Sequence, residues 1–291
     1  MRTALPITSS QTHVTSNPSS NVQAVFSSDP GSFKDAYQDL TQGFARRRLW
    51  TQFAVRDVRG RFSGATLGSL WFIIMHSLIV LGLAVMYSKI LGAELITYLP
   101  YVAVGLTVWN ILSGIITDGS GVFKANGIYL KQVKLPYTFF IYRINLKHLL
   151  IGCFQAVVVI AMYAFLRLFP GSIMLLAIPG FILMLIFAFA SSLFVGVVAS
   201  RFRDFYGFVQ SGLRFAFFLT PIFWDARRLG EYAWMMNFNP FYHFLEIVRA
   251  PLLGQMPSML NYYASAVMTV FMIILAAFAF RYSIKKITYW I

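Results

Sequence analysis

The segment NPFYHFLEIVRAPLLG, residues 239–254, gathers the side chains best suited to chemistry: His243, Glu246 and Arg249 follow one another at intervals of three. An imidazole, a carboxylate and a guanidinium so spaced could serve acid–base catalysis or an ion pair on one helical face. Asn239 suits a helix N-cap with Pro240 in the first turn. On the helix that follows, Tyr242, Glu246 and Arg249 share a face through spacings of four and three. A catalytic centre would need further converging carboxylates or histidines, and none accompany this trio. Glu246 with Arg249 therefore reads as a structural ion pair or, with Tyr242, as a gate.

A second candidate is FARRRLWTQFAVRDVRGRF, residues 44–62, where Trp50, Phe53, Ala54 and Val58 recur at helical spacing and Arg48, Arg56 and Arg59 fall opposite them. Such a helix lies in a membrane interface, anchored on anionic lipid. Guanidinium forks also suit a lipid pyrophosphate, and Arg56, Arg59 and Arg61 are the candidates. Other chemistry is missing. There is no G-x-x-x-x-G-K-[ST] and no H-E-x-x-H, and His13, His76, His148 and His243 are scattered, so neither a nucleotide nor a metal site is expected. Tyr and Trp prefer an interface or a wet lumen. Tyr87, Tyr98, Tyr101, Trp109, Phe223 and Trp224 form either an aromatic belt or the wall of a sugar path.

The elements that must position these residues follow from composition: 58% hydrophobic and 12% charged over 291 residues. This is an all-α integral membrane protein. A hydrocarbon core about 30 Å thick needs roughly 20 apolar residues per span, and six stretches qualify, at 67–88, 98–117, 148–166, 173–199, 205–224 and 262–280. Alternating strands of an outer-membrane barrel are absent. Cys153 lies alone in the third span, so no disulfide forms within the chain. Residues 1–32 read as a disordered tail, and 33–291 as the transmembrane domain. Lys and Arg crowd the segments before span one, between two and three, between four and five, and after six. The other side holds only Lys89, Arg167, Arg227, Arg228 and Arg249, which makes both termini cytoplasmic. That distribution accounts for the net charge of +14 without nucleic acid. Arg214 inside span five either snorkels or lines a cavity. The loop from Gly119 to Arg143 is long, basic and apolar enough to dock a cytoplasmic partner through a short coupling helix, with Lys124, Tyr129, Lys131 and Lys134 as contacts. The outer connection from Trp224 to Tyr262 suits two short re-entrant helices.

DLTQGFARRRLWTQFAVRDVRGRFSGATLGSLW (39–71), LKQVKLP (130–136), LTPIFW (219–224) and NPFYHFLEIVRAPLLG together resemble, in order and topology, the ABC-2 type permeases that export bacterial polysaccharides. The last stretch is most similar to the O-antigen and related lipopolysaccharide exporters. SGA at 63–65 departs from the further basic residues of many members. The resemblance implies a homodimer of six-helix subunits in the bacterial cytoplasmic membrane, with two copies of a separate ABC ATPase docked underneath. ATP and Mg would be bound by that partner, with no cofactor on this chain. The cargo implied is an undecaprenyl-linked polysaccharide, alongside membrane lipids. A drug or small-lipid permease and a polyprenyl-glycan transferase are the alternatives.

Overall fold

The computed structural model describes residues 31–61, 64, 66–68 and 70–291. Among these, every regular element is a helix: α1 Phe33–Ala45, α2 Arg47–Gly60, α3 Leu70–Leu91, α4 Leu95–Ala125, α5 Gly127–Gln132, α6 Tyr137–Leu166, α7 Ala177–Arg201, α8 Phe205–Leu219, α9 Pro240–Leu252, α10 Met259–Ser283 and α11 Ile287–Trp290. Two 3-10 segments, Gly171–Leu176 and Ala226–Phe238, precede α7 and α9. The expected tail lies outside the described residues as far as residue 30. Ser32, at its end, is the N-cap of α1: Asp35 accepts the Ser32 backbone N–H at 2.8 Å, and Ser32 Oγ accepts that of Lys34 at 3.2 Å, the reciprocal capping of a helix start.

α4 is the central helix. Among the described residues five helices are long and apolar enough to cross a membrane, and 72% of the most apolar stretch of α4 is buried against 22–33% for the other four. It packs on α7, α6, α3, α8 and α9. The α4–α7 crossing is close because glycines face each other: a Cβ on Gly196 would lie 2.8 Å from the Gly119 carbonyl oxygen, and one on Gly119 2.7 Å from Ser192 Cα. Backbones can approach this way only where a side chain is missing. Farther along, α9 seats on α7 through the stacked rings of Phe187 and Phe244, 4.2 Å between centroids.

Three expectations change. The fifth expected span, 205–224, is the 15-residue α8, about 22 Å long at 1.5 Å per residue and short of the bilayer core. Pro221 sets its end, because the residue before a proline is driven out of the helical region, and Thr220 is extended at φ −85°, ψ 132°. The expected loop 119–143 is shorter than expected, since α4 continues to Ala125 and α6 begins at Tyr137; the short cytoplasmic helix expected within it is the six-residue α5. Hydropathy stops where Asp118, Lys124, Arg143 and Lys147 begin, whereas the hydrogen-bonded helix does not. The amphipathic helix expected at 44–62 is α2, with α1 as a separate helix before it and Arg46 at the break. Phe62 lies outside the described residues.

Candidate functional site

At the α9 end of the molecule, the aromatic candidates surround the irregular backbone 220–225. Tyr98 donates its hydroxyl to the Phe223 carbonyl. Tyr101 donates to the carbonyls of Pro221 at 3.1 Å and Trp224 at 2.8 Å. Tyr87 packs on Phe223 at 4.7 Å between centroids, and Trp224 Nε1 donates to the Phe218 carbonyl at 3.3 Å. Gly105 admits the segment, since a Cβ there would lie 2.8 Å from the Ile222 carbonyl oxygen. Non-helical backbone away from water must have its carbonyls satisfied, and these hydroxyls satisfy them. Tyr98 and Phe223 are consequently buried within the subunit, part of a packed wall.

The opening trio separates. Asn239 caps α9 as expected, its Oδ1 accepting the N–H groups of Phe241 at 3.0 Å and Tyr242 at 3.3 Å. Glu246 and Arg249 form the i,i+3 ion pair. His243 points elsewhere, buried against Asn261 at 2.9 Å and the Asn237 carbonyl at 2.9 Å. Arg249 is 1% exposed; it donates to the Pro221 carbonyl and lies over the Tyr101 ring at 4.0 Å. Tyr242 and Glu246 are half-buried on α9.

α4 carries the feature that the sequence reading missed. Between Val102 and Phe123 the residues that escape burial are Asn110, Ser113, Gly114, Thr117, Asp118 and Gly121, spaced three and one apart along one helical face. An otherwise apolar span thus turns its small and polar residues outward. On the α8 side, Trp109, Ser113 and Thr117 line a groove of about 470 Å³ with Gln210, Arg214 and Phe217. Arg214 reaches Gln210 at 3.5 Å and so lines that groove. On the α3 and α6 side, the same face borders a polar cavity of about 690 Å³ that takes in Arg61, Asp118, Lys147, His148 and Gln155.

The three arginines expected at a pyrophosphate divide in the same way. Arg56 and Arg59 line an open groove on the outer face of α2 with Gln52 and Val55, whereas Arg61 borders the polar cavity, 5.6 Å from the Phe72 ring. α2 is tied to α6 by Asp57 and Arg143, which meet in a two-pronged pair at 2.7 Å each; Arg143 also reaches Asn126 at 3.1 Å, at the junction of α4 and α5. α1 is tied to α6 by Asp39, whose carboxylate accepts the N–H of Tyr137 at 2.8 Å and of Thr138 at 2.9 Å, and the Thr138 hydroxyl at 2.7 Å. It caps α6 from another helix. Burial pushes the Asp39 carboxyl up from its ordinary value, outweighing these hydrogen bonds, which act the other way. Lys124, Tyr129, Lys131 and Lys134 are all exposed on or beside α5. Lys131 reaches the Ile291 carbonyl at 2.5 Å, and Tyr129 meets Phe53 edge-on at 6.4 Å.

Comparison with known proteins agrees with this architecture. The family model described as ABC-2 type transporter matches residues 48–253. Two O-antigen export system permease proteins, both RfbA of Klebsiella pneumoniae, are each 22% identical to the chain over 188 residues, which is 64% of this chain and 72% of the relative. The matched segment runs from α2 through α9 and contains the polar face of α4, the ion-paired α9 and the short α5 between them; this integral membrane protein belongs to the ABC-2 type transporter family.

Proposed function

We propose that the chain is the permease subunit of an exporter that moves a lipid-linked polysaccharide, of the undecaprenyl-linked O-antigen kind, across the bacterial cytoplasmic membrane. The observation that carries this reading is the polar face of α4, with Asn110, Ser113 and Thr117 half-buried where their neighbours between Val102 and Phe123 are mostly buried. Facing lipid, the Asn110 amide would be costly, whereas the Ser113 hydroxyl donates to the Trp109 carbonyl; facing a lumen, this face offers a glycan hydrogen bonds weak enough to release, as conduction requires. Arg214 borders the same groove and adds a donor fork, while Trp109, 6% exposed and packed between Phe217 and Phe241, backs its wall. The similarity to O-antigen export permeases favours a glycan over a drug or small lipid.

In this reading a second copy of the chain closes the open side of the path, and two separate ATPase subunits bind beneath, carrying the ATP and Mg. α5 suits that docking: Ile128 is 72% exposed and Tyr129 and Val133 are each 47% exposed, among Lys124, Lys131 and Lys134. The basic end of the molecule, with both termini, lies in the cytoplasm. α9 forms the outer gate, with Tyr242 and Glu246 toward the exit and Arg249 holding its root. Surface glycan in cells carrying the chain and its ATPase tests the proposal. Ser113→Leu with Thr117→Leu should abolish export while the subunit still co-purifies with the ATPase; normal glycan display in that variant would refute the path.

A further inference from the structure

The cavity between α2, α3, α4 and α6 has a charge distribution that the path alone does not require. Its wall includes Arg61, Lys147 and His148 beside Asn110, Ser113, Thr117 and Gln155. Asp57 borders it too, but its carboxylate is held by Arg143. Arg61 and Lys147 then face one remaining anion, Asp118, whose Oδ2 takes both Lys147 Nζ and, at 2.7 Å, His148 Nε2. Among the described residues Arg61 has no carboxylate partner. Gln155 is 8% exposed and its buried side-chain oxygen has no hydrogen-bond partner. An acceptor left unpaired there is costly, and a hydroxyl donor would satisfy it. The imidazole is fixed in place because its ring lies where a side chain on Gly114 would stand, 2.4 Å from the position of a Cβ.

We infer that this cavity is a binding site for a phosphate or diphosphate group bearing a hydroxylated head, and that Asp118 is its internal placeholder. The inference rests on the export reading and deepens it. A volume of about 690 Å³ suits a diphosphate with one sugar. The incoming anion takes Lys147, His148 and Arg61, for which charge-assisted bonds are the strong ones, and Gln155 receives a sugar hydroxyl. Asp118 stands on α4, Lys147 and His148 on α6, and the exposed α5 is the link between those two helices. Displacing Asp118 removes a tie across the root of α5, so occupancy is felt where the ATPase is proposed to dock.

The test is phosphorus-31 NMR titration of the purified full-length chain in nanodiscs with farnesyl diphosphate, inorganic pyrophosphate and farnesol, combined with amide exchange over residues 126–136. Farnesyl diphosphate should bind and speed exchange in that segment. Tighter binding than pyrophosphate assigns the group to a lipid head, and equal binding to a soluble phosphate; both support the site. Lys147→Gln should weaken binding about tenfold or more, Lys147→Arg should retain it, and Asp118→Asn should tighten it. Farnesol binding equally well, no binding of either diphosphate, or weaker binding by a folded Asp118→Asn chain would overturn the inference. The surface-glycan assay is independent of this titration, so intact export without diphosphate binding removes the site and leaves the export reading standing.

Discussion

The Arg249 guanidinium donates through Nη1 to the carbonyl oxygen of Pro221, 2.6 Å away. Pro221 is where α8 stops, so one buried charge links the end of a short helix to the last turn of α9. Glu246 neutralises that charge, and Tyr101 lies under it.

Removing one member of such a group leaves the rest uncompensated. Arg249→Met should destabilise the chain by about 3–5 kcal/mol, because the partly buried Glu246 loses its counter-charge and the Pro221 carbonyl keeps only the Tyr101 hydroxyl. Glu246→Gln keeps a hydrogen-bonding oxygen and should cost about 1–2 kcal/mol. Thermal unfolding in detergent ranks the two, and an equal effect would contradict the central role given to Arg249.

The α4–α7 crossing depends on missing side chains. Gly196→Ala forces a methyl to within 2.8 Å of the Gly119 carbonyl oxygen and should cost roughly 1–3 kcal/mol by overpacking. Gly212→Ala on α8 meets nothing within 4 Å and should be neutral or stabilise by up to about 1 kcal/mol. Comparing the melting temperatures of the two variants checks the crossing, since both replace a helical glycine.

Asp57 and Arg143 join α2 to α6 through two parallel contacts, with side chains 26% and 19% exposed. A double-mutant cycle with Asp57→Asn and Arg143→Gln should return a coupling of about 1–2 kcal/mol. A value near zero would mean that α2 is held by its apolar face alone.

Asp39 makes the seating of α1 depend on pH. Its carboxyl is raised in the folded chain, so the docked state holds the proton more tightly than the undocked one. The linked stability is complete below the ordinary carboxylate value of 3.8, falls as pH rises through the raised value, and is level above it. Protease cleavage within 33–45 should therefore increase across the weakly acidic range and then plateau, and Asp39→Asn should flatten the profile.

Local signals were legible in the sequence where cause and effect lie within one helical turn. The Asn239 cap, the Glu246–Arg249 pair and the amphipathic face of α2 all depend on neighbours two to four residues away, and each appears as expected. What escaped needed distant partners. The hydroxyls of Tyr98 and Tyr101 meet carbonyls more than a hundred residues along the chain, a bonding that neither of the two expectations, an aromatic belt or a sugar path, contained. Asp118 falls between the expected span 98–117 and the expected loop 119–143, although α4 carries it beside Lys147 and His148. The outward polar face of α4 was hidden for a further reason: averaged over a span, Asn110, Ser113 and Thr117 vanish among their apolar neighbours, and only burial separates the two faces.

That face also bears on how the protein is made. Asn110, Ser113 and Thr117 border a groove and a cavity that the single subunit leaves open on one side, so in the export reading an orphan chain displays a polar stripe that a second copy would cover. Membrane quality control could read the same stripe that a passing sugar would use, and overproduction of the subunit without its partners should shorten its lifetime in the cell.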